Sequence, residues 1–118
     1  MKFLIFLLAI FTSAKAFTIT CPFGLNSLSS PFFPSSYSCY QPTIRNLSDG
    51  EELTAVYGNH TSGRNNSDVL LLQFDCTSPN NLIFFPKGIE KFFPNLRALS
   101  FWYCNITALR GDDLEFLQ

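Results

Sequence analysis

The 118-residue sequence contains few of the residues from which metal sites and active sites are built. His60 is the single histidine, and none of the four cysteines stands in a C-x-x-C spacing, so a structural zinc site has no ligand set. The sequence also has no glycine-rich phosphate loop, no G-x-S-x-G elbow and no H-E-x-x-H motif. We therefore predict no metal, no cofactor and no enzymatic activity.

Long apolar runs are confined to the N-terminus. The run from Phe3 to Phe11 would span about half of a bilayer core of ~30 Å at about 1.5 Å per helical residue. Met1-Lys2 precedes it, and Ala14-Lys15-Ala16 offers small residues at a cleavage site. We predict that residues 1–16 are a cleavable signal peptide, that the product is secreted and that it has no membrane span; a membrane anchor is the alternative.

An excess of positive charge is also absent. Removing Lys2 and Lys15 with the signal peptide leaves six basic residues against nine acidic ones, which is a formal charge of −3. Nucleic acid and anionic lipid attract basic surfaces. We therefore predict that neither is a partner.

Four cysteines and four glycosylation sequons are present in the remaining 102 residues. An even number of cysteines in a small exported domain indicates two disulfides, with three possible pairings, among Cys21, Cys39, Cys76 and Cys104. Asn-x-Ser/Thr triplets begin at Asn46, Asn59, Asn65 and Asn105. Together these features predict an extracellular, disulfide-bonded glycoprotein.

The first part of the mature chain has no clear period. Residues 17–42 are interrupted by prolines, and we interpret them as an irregular covering segment ordered by a Cys21–Cys39 bridge. Tyr37–Arg45 and Leu53–Tyr57, separated by turn-forming residues, predict an antiparallel β-hairpin. His60 follows in a polar loop, where we expect a solvated side chain.

A repeated apolar frame marks the second half. The frame L-x-x-L-x-L-x-x-N/C-x-L is matched by Leu96, Leu99, Phe101, Cys104 and Ile106, and Leu109 continues it as a further apolar position. On a short strand Leu99 and Phe101 would face the core, whereas Ala98, Ser100 and Trp102 would face away. The segment after Leu109 is expected to form a helical return.

An earlier copy of this frame lies 27 residues upstream. Val69, Leu72 and Phe74 stand in the positions of Leu96, Leu99 and Phe101, which predicts two adjacent strands. In this register Cys76 falls one place short of Cys104, and a bulge would allow them to pair. Between the strands, Ile89, Phe92 and Phe93 have the spacing of one buried helical turn.

From about residue 57 to residue 118 the chain resembles secreted leucine-rich repeat proteins of the type seen in arthropods. The resemblance is carried by Gly58-Asn59-His60, Asp68-Val69, residues 86–96 and Asp113-Leu114. The pair Cys21 and Cys39 is similar to the cysteine pair of the cap in such proteins.

This resemblance implies the α/β class: the start of a leucine-rich repeat solenoid, with parallel strands and short helical convex turns, after a disulfide-tied β-hairpin cap. The cap would comprise residues 17–68 and the repeats residues 69–118, with a degenerate repeat at 69–95 and a well-formed but incomplete one at 96–118. The last repeat stops within its return segment, and a solenoid needs neighbouring repeats. We therefore expect either a truncated product or self-association through an uncapped C-terminal end.

The strand face directed away from the core is the usual recognition surface of a solenoid. On it we place the candidate binding residues Gln73, Asp75, Ser100, Trp102 and Tyr103. The predicted function is non-catalytic recognition of an extracellular protein or glycan, and the alternative is a structural or self-associating component without a specific ligand. Arg110-Gly111-Asp112 matches an integrin-recognition tripeptide, but its aspartate also fits a helix cap.

Overall fold

The computed structural model describes residues 16–26, 35–46, 51–77, 82 and 84–106. In chain order the elements are β1 (Ala16–Thr20), β2 (Phe23–Asn26), β3 (Ser36–Tyr40), β4 (Thr43–Arg45), β5 (Glu52–Tyr57), a 3-10 turn (Asn66–Asp68), β6 (Leu71–Asp75), α1 (Ile89–Phe92) and β7 (Ala98–Trp102). Apart from Ala16, the predicted signal peptide lies outside the described residues. So do the Arg110-Gly111-Asp112 tripeptide and the expected helical return.

A three-stranded sheet has the order β4-β1-β5, with β1 antiparallel to β4 and parallel to β5. The alternation of the β1 sequence explains its central place, because Phe17 and Ile19 point to one face and are fully buried while Thr18 points to the other. The prediction of an irregular covering segment over residues 17–42 is therefore wrong. Its two described prolines, Pro22 and Pro42, fall between strands and do not interrupt them.

A four-stranded sheet has the order β2-β3-β6-β7, in which β3, β6 and β7 are parallel and β2 is antiparallel to β3. Leu72 pairs with Leu99 and Phe74 with Phe101, so the predicted 27-residue register between these strands is confirmed. The rings of Phe74 and Phe101 stack with their centroids 5.5 Å apart. Leu99 and Phe101 pack against the core, as the frame predicted.

One core joins both sheets, and two disulfides anchor it. Its fully buried members include Phe17, Ile19, Leu72, Phe74, Leu82, Ile89 and Phe93. Cys21, just after β1, is bonded to Cys39 in β3 and so ties one sheet to the other. Cys76 is bonded to Cys104, just beyond the ends of β6 and β7. Both predicted pairings are present.

The predicted antiparallel hairpin is wrong. Gln41 and Pro42 divide the segment Tyr37–Arg45 into two strands that belong to different sheets, and β5 pairs in parallel with β1. Gln41 has a left-handed backbone (φ 55°), and Pro42 has no N–H to donate to a ladder. Turn-forming residues between two strands do not make the strands partners when a distant strand offers better burial.

The predicted leucine-rich repeat solenoid is contradicted. The described residues form a small domain of mixed sheets with two disulfides, and its helical structure is limited to the 3-10 turn and the four-residue α1. Any half-buried sheet requires apolar residues at every second position. The frame therefore predicted correctly which residues of β6 and β7 face the core. It did not determine the structure of the segment that connects these two strands, nor the arrangement of the other strands.

The short helix agrees with the sequence pattern. Ile89 and Phe93 are fully buried and Phe92 is half-buried, so the predicted buried turn is confirmed. Gly88 precedes it with a left-handed backbone (φ 84°). None of the described helices has the length and apolarity needed to cross a membrane.

Candidate functional site

Two exposed aromatic side chains lie next to each other where β6 and β7 end. Trp102 is 41% exposed and Tyr103 is 76% exposed, and their rings meet edge to face with centroids 6.2 Å apart. Aromatic side chains with a polar atom are frequent in binding hot spots because they bury a large area at a small entropic cost. The structure therefore brings these two predicted residues together at the surface.

The backbone around the two rings is held firmly. The Cys76 N–H donates to the Trp102 carbonyl at 2.8 Å, and Cys104 is bonded to Cys76. Tyr103 is the residue by which Cys104 lies out of register with Cys76, and its backbone is left-handed (φ 56°). Non-glycine residues in this conformation are costly and cluster at functional sites.

Asp75 lies beside the aromatic pair, because β6 and β7 pair Asp75 with Trp102. Its Oδ1 accepts from the backbone N–H of Thr77 at 3.0 Å and from the Thr77 hydroxyl at 2.8 Å. Its Oδ2 accepts from Nε2 of Gln41 at 3.2 Å. The carboxylate is thus fixed and has no cationic partner among the described residues, so it can accept hydrogen bonds from a ligand.

Gln41 is a site residue that the sequence pattern did not reveal. It follows β3, and its backbone N–H donates to the Gln73 carbonyl at 2.8 Å, which extends the pairing of β3 with β6. A left-handed glutamine is the feature that distinguishes it, and a sequence does not display backbone angles. We refer to Gln41, Asp75, Trp102 and Tyr103 as the carboxyl-edge site, since all four lie at the carboxyl ends of the parallel strands.

The other two predicted binding residues are less accessible. Ser100 is half-buried, and Gln73 is only 1% exposed. The Nε2 of Gln73 has no hydrogen-bond partner within the described structure. Gln73 lies between Tyr40 of β3 and Ser100 of β7, with which it is paired across the sheet. Its amide is not presented to solvent.

His60 contradicts the expectation of a solvated side chain. It is half-buried, and its ring stacks on Phe23 with centroids 3.7 Å apart. Its Nδ1 lies 2.7 Å from the Tyr37 hydroxyl, and its Nε2 lies 2.8 Å from Oδ1 of Asn66. Phe23 and Tyr37 come from strands far away in sequence, which is why local composition could not predict this packing.

Both imidazole nitrogens are satisfied in one arrangement of protons. The Thr61 backbone N–H donates to the Tyr37 hydroxyl at 3.1 Å, and that hydroxyl donates to Nδ1 of His60. The Nε2–H then donates to Asn66. The arrangement attaches the loop to the four-stranded sheet.

The sequon asparagines Asn46, Asn59, Asn65 and Asn105 are all exposed. Asn65 also caps the 3-10 turn, because its Oδ1 accepts from the Ser67 N–H at 2.8 Å. A glycan attaches to the amide nitrogen, so glycosylation of Asn65 is compatible with this cap. Each position could carry a sugar without disturbing the core.

The described residues were compared for side chains that could share a metal ion. Across the parts of the chain that the structure describes, no three His, Cys, Asp or Glu side chains cluster closely enough to hold an ion. The features that remain are two exposed rings and one fixed acceptor. Such a surface is suited to binding.

Comparisons with known proteins identify no relative of this chain. The sequence matches no protein-family model. Searches against curated proteins and against solved structures found no significant similarity. The resemblance to leucine-rich repeat proteins stays a prediction from sequence motifs, without the solenoid that it implied.

Proposed function

We propose that this protein is a secreted, non-catalytic glycoprotein that recognises an extracellular protein or glycan ligand through the carboxyl-edge site. The observation that carries the proposal is the edge-to-face pair of Trp102 and Tyr103, both exposed on a backbone fixed by a disulfide and a hydrogen bond. A preformed aromatic surface loses little entropy on binding.

The chemistry of the site indicates what kind of group it would contact. The rings offer faces for an aliphatic chain or the apolar face of a sugar, and Asp75 offers lone pairs to hydroxyl or amine donors. Two disulfides and exposed sequons support an extracellular setting.

The test compares aromatic substitutions at two places. The secreted protein and its W102A, Y103A and Y57A variants are applied to an array of extracellular glycans and proteins. Tyr57 is the matched control, because it is 58% exposed but lies on β5 in the other sheet. Loss of binding of at least about tenfold in W102A and Y103A, with Y57A unchanged, is expected for hot-spot residues. Equal binding by all four proteins would contradict the proposal.

Self-association is the second candidate, and the topology supports it. Among the described strands β7 has β6 on one side and no strand on the other. An uncovered edge presents unpaired backbone groups to another chain. Sedimentation over a range of protein concentrations tests this function: reversible dimers would support it, and a monomer at every concentration would reject it.

A further inference from the structure

A polar cleft lies at the opposite end of the parallel strands, before β6 and β7 begin. Its volume is about 510 Å³. One wall includes Arg64, Ser67 and Asp68 from the segment before β6, and the other includes Asn95, Leu96 and Arg97 from the segment before β7. It shares no residue with the carboxyl-edge site. Its ligand is therefore a question separate from the proposed function.

Hydrogen bonds fix both walls of this cleft. Nδ2 of Asn95 donates to the Ser67 carbonyl at 2.8 Å and so connects the walls. The backbone N–H of Arg97 donates to the Leu70 carbonyl at 2.9 Å. On the other wall, Asp68 closes the 3-10 turn by accepting from the Asn65 N–H at 2.8 Å. The cleft is therefore formed before any ligand arrives, which favours binding.

The charges in the cleft are not balanced. The two described lysines form ion pairs, Lys87 with Glu51 at 3.7 Å and Lys91 with Glu52 at 3.3 Å. Arg64 and Arg97 have no carboxylate within ion-pair distance among the described residues, and both are exposed. Two guanidinium groups against the single carboxylate of Asp68 leave the cleft with a net charge of about +1.

The position of Arg64 is further defined by an aromatic contact. Its Cζ lies 5.2 Å from the centroid of the Tyr37 ring, within the range of a cation–π interaction. Tyr37 is itself held by His60 and Thr61. One of the two cations is thus restrained from moving away into solvent.

We propose that this cleft binds the oxyanion of an acidic sugar chain, a carboxylate or sulfate, between Arg64 and Arg97. The planar guanidinium suits such groups because it donates two parallel hydrogen bonds. Asn95 retains its side-chain oxygen for a sugar hydroxyl, and the open, polar cleft suits a hydrated sugar.

The experiment is a calorimetric titration of the secreted protein with four probes: a sulfated uronic disaccharide, its unsulfated form, a neutral disaccharide and inorganic sulfate. Both charged disaccharides are expected to bind, more weakly at high salt, and the neutral one is expected not to bind. Inorganic sulfate is expected to bind at least tenfold more weakly than the sulfated disaccharide. Binding of sulfate as tight as that of the disaccharide would overturn recognition of the sugar.

Variants locate the site. R64Q and R97Q should each weaken binding of the sulfated disaccharide at least about tenfold, because each removes a charge-assisted pair of hydrogen bonds. R45Q is the matched control, since Arg45 is exposed on β4 outside the cleft, and it should bind within twofold of the parent. W102A should also bind normally, which separates this proposal from the proposed function. Undiminished binding by R64Q and R97Q would refute the assignment.

The R64K variant distinguishes a loss of binding at Arg64 from a loss of folding. Lysine keeps the positive charge over the Tyr37 ring but cannot donate the paired hydrogen bonds. An unchanged unfolding temperature with weakened binding in R64K is the expected result. Full binding by R64K together with loss in R64Q would show that charge alone suffices and would contradict bidentate recognition.

Discussion

The Tyr37 hydroxyl lies 2.7 Å from Nδ1 of His60, although 23 residues separate the two in the chain. Tyr37 is buried in β3, and His60 belongs to the loop that follows β5. The bond therefore attaches a surface loop to the four-stranded sheet. The stacking of His60 on Phe23 from β2 strengthens the same attachment.

Removing the Tyr37 hydroxyl should destabilise the fold. In Y37F both Nδ1 of His60 and the Thr61 N–H lose their partner, so we expect a loss of about 1–3 kcal/mol in the free energy of unfolding. Urea denaturation measures it. Y40F is the control, because the Tyr40 hydroxyl has no hydrogen bond to the described residues, and equal stability of the two variants would contradict the expected role.

Two glycines with positive φ should respond differently to alanine. At Gly58 (φ 127°) an added Cβ would collide with the Cys21 carbonyl oxygen, whereas at Gly63 (φ 83°) it would meet open space. We expect G58A to lower the free energy of unfolding by ~3 kcal/mol or more. G63A should cost about 1 kcal/mol, for backbone conformation alone. Thermal unfolding of both variants decides this, and comparable losses would show that the close approach to Cys21 is unimportant.

Asn65 allows the cap and the glycan to be separated. N65A removes both, and N65D removes the sequon but keeps the oxygen that accepts from the Ser67 N–H. Made in an oxidising host that does not glycosylate, N65D should match the parent and N65A should lose about 1 kcal/mol. In a glycosylating host, intact mass should show one fewer glycan in both variants. An unchanged number of glycans per chain in both variants would show that this sequon is unused.

The two disulfides should differ in importance. Loss of either bridge is expected to cost about 2–5 kcal/mol. C21S/C39S should be the more damaging pair, because both sulfurs are buried in the core and the bridge joins the two sheets, while Cys104 is only half-buried. Denaturant midpoints of both double variants test the order, and a more damaging loss of Cys76–Cys104 would reverse it.

Neighbouring aromatic residues on β7 should divide by role. Phe101 stacks on Phe74 inside the sheet packing, so F101A should lose about 3 kcal/mol. W102A should lose less than about 1 kcal/mol, since that ring is 41% exposed. Urea unfolding of both variants provides the measurement. A large loss in W102A would make that ring a packing residue and weaken the proposed function.

The period of apolar residues predicted β6, β7 and their register, because a half-buried strand must alternate and equal spacing brings equal positions together. The pairing of β1 with β5 could not be predicted in this way. Thirty-six residues separate Phe17 from its partner Leu53, and no local pattern encodes the choice of a distant strand.

Some residues of the candidate site could be predicted from local sequence patterns, and others could not. Trp102 and Tyr103 could be identified because they follow a recognisable strand, whereas Gln41 and the surroundings of His60 depend on contacts between remote segments. Gln73 alternates with the core residues Leu72 and Phe74 along β6, but whether its face of the strand is open or covered depends on the rest of the chain.

The location of β1 limits how the N-terminus can be processed. Phe17 and Ile19, both fully buried, directly follow the predicted cleavage site after Ala16, and β1 lies between β4 and β5. A product trimmed by four more residues would lack the middle of the three-stranded sheet. If the predicted cleavage after Ala16 takes place, we therefore expect little tolerance for further trimming of the N-terminus, and a leader for expression should be fused directly to Phe17.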